Sequence, residues 1–146
     1  MEFVDDDRCF LCGNLNPHGI PLHFSKEGTE TVIRGTVPWY FQGFQGVVHG
    51  GIVASLLDEV MSHSVKNVGE HAVTGTLEVK YVRPCRTDIE VEVRGKIIRR
   101  GGRALEVDST VTQSGDVVAR GKAVFVRTKR RSTSLVSEDR KSFSEE

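Results

Sequence analysis

Apolar residues recur at spacings of three and four across residues 51–68: Val53, Leu56, Leu57, Val60, Met61, Val65 and Val68. That period predicts one helix. Its first half is unusually apolar, so it should be deeply buried. The polar set is Ser55, Glu59, Ser62, His63 and Lys66. Everything after it alternates with a period of two, the mark of strands. Leu77, Val79 and Tyr81 alternate with Thr76, Glu78 and Lys80. Ile89, Val91 and Val93 alternate with Glu90, Glu92 and Arg94. Leu105 and Val107 alternate with Glu106 and Asp108, and 117–126 is a last long run. Before the helix, 20–24 and 31–37 read as two further strands. Turn chemistry separates them at Pro84–Asp88, Arg100-Gly101-Gly102 and Ser114-Gly115-Asp116.

These spacings are hairpin spacings, so the sheet is antiparallel. One apolar helix and five or six antiparallel strands give an α+β architecture in which the sheet wraps the helix. Its edges need cover, which favours self-association. Residues 1–29 are mostly irregular and dense in turn formers. Residues 129–146 are rich in charge and serine and read as a disordered tail. One domain is expected over 1–128.

Twenty Lys and Arg balance twenty Asp and Glu. A zero net charge argues against a nucleic-acid footprint. No apolar run reaches the roughly 20 residues of a membrane helix. The acidic start, Met1 to Asp7, lacks the features of a signal peptide, so a cytoplasmic location is expected. Three cysteines are a poor disulfide framework. Cys9 and Cys12 form a C-x-x-C with only His18 and His23 nearby, too few obvious ligands for zinc. Reduced cysteines in a folded loop are the plainest reading. Metal binding and redox activity are the alternatives, and no metal is expected.

The chemistry concentrates in residues 46–59. His49-Gly50-Gly51 is a glycine-rich turn opening the helix. The N–H groups of Gly50 and Gly51 should lack internal partners at the positive end of the helix dipole. Such donors can polarise a carbonyl. Two turns on stand Asp58 and Glu59. Glu59, with His63 four residues on, reads as solvated or locally paired. Asp58 has Ala54, Met61 and Val65 beside it, a less polar setting of the kind that perturbs a carboxyl group. The plain alternative for Asp58 is an interface or surface aspartate.

Val48-His49-Gly50-Gly51, followed by Leu57-Asp58, resembles the hotdog-fold acyl-CoA thioesterases, in the PaaI-like branch of the 4-hydroxybenzoyl-CoA thioesterase superfamily. The acid follows the His by nine positions, as it does there. Tyr81-Val82-Arg83-Pro84 looks like the family's Y-x-x-P. Cys9-x-x-Cys12-Gly13, Asn16-Pro17-x-Gly19-Ile20 and Phe41-Gln42-Gly43 resemble its lead-in. The resemblance covers about residues 9–127.

It implies that Asp58 is the catalytic acid, acting on a thioester as general base or nucleophile. Gly50 would polarise the carbonyl through its N–H, with Gly51 beside it. His49 would position the loop, and Thr74 would help hold the attacking water. Some members carry an Asn where this chain has Gly43, and Gln42 or Gln45 is the candidate substitute. No cofactor is implied beyond the coenzyme A of the substrate. Arg83, Arg99, Arg100 and Arg103 are candidates for its phosphates, with exposed hairpin arginines as the alternative reading. Trp39, Tyr40, Phe41 and Phe44 read first as core or dimer packing, second as an acyl pocket. The resemblance also implies a homodimer with sites across the interface, and stacking into homotetramers. Two other readings are a non-catalytic acyl-CoA-binding hotdog module and a hotdog hydratase or dehydratase.

Overall fold

A computed structural model of the chain describes residues 2–128 and 143–145. Two strands, β1 (Leu22–Glu27) and β2 (Glu30–Gly35), precede a single 3-10 turn at Trp39–Phe41 and one long helix, α1 (Gly50–Asn67). Four strands follow: β3 (Ala72–Tyr81), β4 (Val91–Arg100), β5 (Ala104–Gln113) and β6 (Asp116–Arg127). They form an antiparallel sheet in the order β3-β6-β5-β4-β2-β1, and β7 (Phe143–Glu145) lies parallel to β1 at the outer edge. Six antiparallel strands around one helix is the arrangement expected. The rest of segment 129–146, read above as a tail, lies outside the described residues. Among them, no helix is long and apolar enough to cross a membrane.

α1 packs on one face of the sheet and contacts β2 through β6. Leu56, Leu57, Val60 and Met61 from the helix meet Phe24, Ile33, Val93, Leu105 and Phe125 in one core, all essentially inaccessible. Two glycines permit the close approach. A Cβ at Gly95 on β4 would stand 3.0 Å from Val60 Cγ1 and from Ser64 Oγ. One at Gly121 on β6 would stand 3.2 Å from Leu57 Cβ. Without those bare positions the helix would ride higher and the core would lose contacts.

β1 runs later than the pattern suggested, because Lys26↔Thr31 and Glu27↔Glu30 extend the hairpin through polar residues. Gly28, at φ +63°, closes its turn. On the outward side, Arg34 and Arg94 bond Glu27 and Glu92, and Arg94 also bonds Glu30.

Glu59 and His63 do not lie on a solvated side of α1. The His63 side chain is 1% exposed and that of Glu59 11%. Of the two readings of Glu59, solvated or locally paired, the second holds: His63 Nε2 lies 2.9 Å from Glu59 Oε2, with Cys9 of the N-terminal loop beside Glu59 and Phe24 of β1 against the His63 ring. On β3, Val79 packs against the core, while its neighbours in the same row, Leu77 and Tyr81, stay exposed. Leu77 is 38% exposed and Tyr81 54%. β3 pairs with β6 alone, through a bulge between Thr74 and Thr76, so its other edge is unpaired among the described residues.

Candidate active site

The loop leading into α1 is tied down from both sides. Val48 N–H bonds Cys85 O at 2.8 Å, and His49 N–H bonds Phe41 O at 3.0 Å. The 85–87 segment is in turn held by Gln113, buried on β5. Its Oε1 accepts from Arg86 N, and its Nε2 donates to Arg86 O and Ile89 O. Gln42 clamps the preceding turn, its Oε1 accepting from Gly46 N at 3.1 Å. Gln113 carried no motif signal and was missed by sequence reasoning.

His49 is the N-cap of α1. Its Nδ1 accepts from Gly51 N at 2.9 Å, and its carbonyl accepts from Ile52 and Val53. An accepting Nδ1 places the proton of the neutral ring on Nε2. This corrects one expectation: the Gly51 N–H is not vacant, because His49 takes it. Gly50, the first helical residue, keeps an N–H with no intrahelical acceptor. It is exposed, and a Cβ there would find only the Tyr81 ring, at 3.6–3.7 Å. Tyr81 Oη donates to Gly50 O at 2.7 Å, tying the end of β3 to the start of the helix.

Asp58 is half-buried on the flank of α1 that faces β3. Thr74 Oγ1 donates to its Oδ1 at 2.7 Å. Burial raises the Asp58 carboxyl above its ordinary value; the Thr74 bond opposes this, and the Glu59 charge adds to it. Glu59 behaves oppositely. Burial pushes it up, but the His63 hydrogen bond and charge outweigh that, and it ends below the usual carboxylate range. The two adjacent acids are therefore separated in character by what each faces.

The structure thus brings Asp58 to Thr74, and His49, Gly50, Gly51 and Gln42 to one loop with Tyr81. Arg83 stands near that loop, bonded through Nη1 to Val117 O at 2.8 Å. It does not bring Arg99, Arg100 and Arg103 there. Arg100 donates to Val68 O and pairs with Glu70 beyond the far end of α1, and Arg99 pairs with Glu106. At 1.5 Å per residue that is roughly 27 Å from Gly50. A cleft of about 780 Å³ lies at that far end, lined by Lys26, Asn67, Ile98, Arg99 and Arg100 among others. Trp39, Tyr40 and Phe44 are 63%, 63% and 82% exposed, so they are not core in a single chain. Phe41 alone packs against it.

Cys9 and Cys12 meet neither His18 nor His23. They meet Glu59, fifty positions away, with Cys9 Sγ 3.9 Å from Glu59 Oε1. The Cys12 hydrogen bond pulls Cys9 down to about 6, while Cys12 itself is raised. Burial lifts Cys85 to about 11.

No curated protein matches the chain. Among solved structures, a thioesterase superfamily protein superposes with a TM-score of 0.77 at 24% identity. The match covers 82% of this chain, which spans 63% of that protein's length. A hypothetical thioesterase from Streptococcus pneumoniae, solved with coenzyme A, gives 0.71 at 21% identity, over 77% of this chain and 89% of its own. A mutant of the phenylacetic acid degradation protein PaaI from Thermus thermophilus gives 0.69 at 24%, over 75% and 95%. These likenesses show the hotdog fold. The profile of the thioesterase superfamily matches residues 45–120, from the glycine-rich loop into the start of β6 and over just over half of the chain. The chain belongs to the thioesterase superfamily.

Proposed function

We propose that the protein hydrolyses an acyl-CoA or aroyl-CoA thioester to the free acid and coenzyme A. Asp58 serves as general base on water or as nucleophile, and the Gly50 N–H polarises the thioester carbonyl. The observation that carries this is the Asp58–Thr74 pair, a carboxylate raised by burial with a hydroxyl at 2.7 Å. A carboxylate near its ordinary value of about 4 is a weak base at neutral pH, and burial improves it. The hydroxyl gives a second handle on the attacking water. His49 and Gln42 are positioning residues for the loop. Substituted forms of the pneumococcal thioesterase add support: an aspartate and a threonine were each changed to alanine, as far apart in that chain as Asp58 and Thr74 are here.

Gly50 and Asp58 are separated by eight residues of α1, about 12 Å along its axis. A single thioester cannot touch both at hydrogen-bond range. We therefore read the working unit as a homodimer in which Gly50 of one chain faces Asp58 of the other. The open β3 edge, with Leu77 and Tyr81 exposed, is the surface that pairing would cover. Arg83 is the candidate partner for the phosphates of coenzyme A. Arg99, Arg100 and Arg103 reach them only in an assembly that carries the far end of α1 to a partner's site.

The test is thiol release from short, long and aromatic acyl-CoAs, with wild type beside Asp58→Asn. Turnover of some substrate, with a loss of at least about 10²-fold in the variant, is expected. A wild type that binds these esters but releases no thiol would make the protein a binding module instead.

A further inference from the structure

One residue on from Asp58, and about 100° around the helix, α1 presents Glu59 to the N-terminal loop, where Cys9 and Cys12 point at it. One ligand-capable atom from each of the three residues lies within 4.8 Å of the other two. We infer that Cys9, Cys12 and Glu59 form a binding site for a thiophilic divalent cation such as zinc(II), which clamps the N-terminal loop onto α1.

The geometry is near what such an ion demands. Zinc holds sulfur at about 2.3 Å and carboxylate oxygen at about 2.0–2.2 Å in a tetrahedron. Those lengths put ligand atoms roughly 3.5–3.8 Å apart, so closure needs movements of about 1 Å or less. Cys9 Sγ and Glu59 Oε1 are already 3.9 Å apart.

The loop is built to aim both sulfurs one way. Leu11 N–H donates to Cys9 Sγ at 3.4 Å, a bond that favours a thiolate there. Gly13 N–H bonds Cys9 O at 2.9 Å and closes the turn. Only glycine fits at that position, since a Cβ would stand 2.4 Å from Cys9 N and 2.5 Å from Asp7 O.

The carboxylate is oriented as well. Its second oxygen, Oε2, is held by His63 Nε2 at 2.9 Å, and the buried His63 ring packs against Phe24 at 4.5 Å. A ligating carboxylate fixed by an outer hydrogen bond is what metal sites require. Cys9 is partly exposed, which gives the ion an entry, and water can complete the fourth position. A Cys9–Cys12 disulfide is the competing use of the two sulfurs. It gives no role to the aimed carboxylate and needs an oxidant. The site stands apart from the proposed hydrolysis: Glu59 faces the loop, and Asp58 faces Thr74.

The test uses the full chain, reduced and stripped of metal with a chelator, then titrated with cobalt(II) and afterwards zinc(II). Cobalt should bind one equivalent with a thiolate-to-metal charge-transfer band, which zinc should then abolish. Binding should release the protons that the two sulfurs still hold. Zinc should raise the melting temperature of wild type and of Cys85→Ser alike, but not of Cys9→Ser or Cys12→Ser. Glu59→Gln should weaken cobalt binding at least about tenfold. Should the cysteine variants fail to fold, the wild-type spectrum decides alone. Absence of the charge-transfer band overturns the site. So does a band that survives in Cys12→Ser, or a Cys9–Cys12 disulfide formed in air by a chain that takes up no cobalt.

Discussion

Thr74 Oγ1 donates a 2.7 Å hydrogen bond to Asp58 Oδ1, joining the start of β3 to the middle of α1. This bond favours the ionised carboxylate, while burial opposes it. Removing the donor in Thr74→Ala should therefore raise the Asp58 value further. The acid limb of kcat/KM against pH should move to higher pH. The plateau should fall about tenfold or more as the water loses a partner. A pH–rate profile of the two proteins measures both. An unmoved limb would remove Asp58 as the titrating base.

Asp58→Asn should trade activity for stability. A carboxyl raised by burial is held protonated by the folded chain to higher pH than by the unfolded chain. Its contribution to stability is fully present below the ordinary carboxylate range and is lost as pH rises through the raised folded value. At neutral pH the buried charge is a cost, and the amide removes it while still accepting from Thr74. The variant should be more stable at pH 7. That advantage should vanish in acid. Thermal melts from pH 3 to pH 8 measure it.

Gly50→Pro isolates the oxyanion donor. Gly50 is the first residue of α1, where proline is well tolerated. His49, at φ −55° and ψ 136°, already has the extended backbone that a following proline wants. The substitution deletes one N–H and leaves the helix in place. The expected result is a fall of about 10²–10³ in kcat with an unchanged circular dichroism spectrum.

Leu77→Arg tests the open edge. Leu77 is 38% exposed on β3, so a lone chain should fold with the charge in place. If β3 edges meet across a two-fold axis, two arginines would face each other there. Light scattering should then report monomers, and thiol release should fall with them. An active dimer carrying this variant would move the interface elsewhere.

Local pattern made much of the architecture legible. The three-and-four spacing of Val53, Leu56, Leu57, Val60 and Val65 fixed α1 to within a residue at each end. The His49-Gly50-Gly51 motif marked where backbone donors would be free. Long-range neighbours stayed hidden. Spacing could not say that the Gly51 N–H would fold back onto His49, or that cysteines from the first twenty residues would meet Glu59. Nor could it say which end of α1 the 99–103 arginines would join, because that depends on the β4–β5 register. Leu77 and Tyr81 alternate like any half-buried strand, and period alone cannot tell a covered face from one awaiting a second chain.

The length of helix between Gly50 and Asp58 has a genetic consequence. If each site takes its donor from one chain and its acid from the other, two inactive proteins can repair one another. Chains carrying Gly50→Pro and chains carrying Asp58→Asn would each form dead homodimers. A mixed dimer would hold one site with both lesions and one with neither. Unfolded together and refolded in equal amounts, half the dimers would be mixed, and about a quarter of wild-type activity should return.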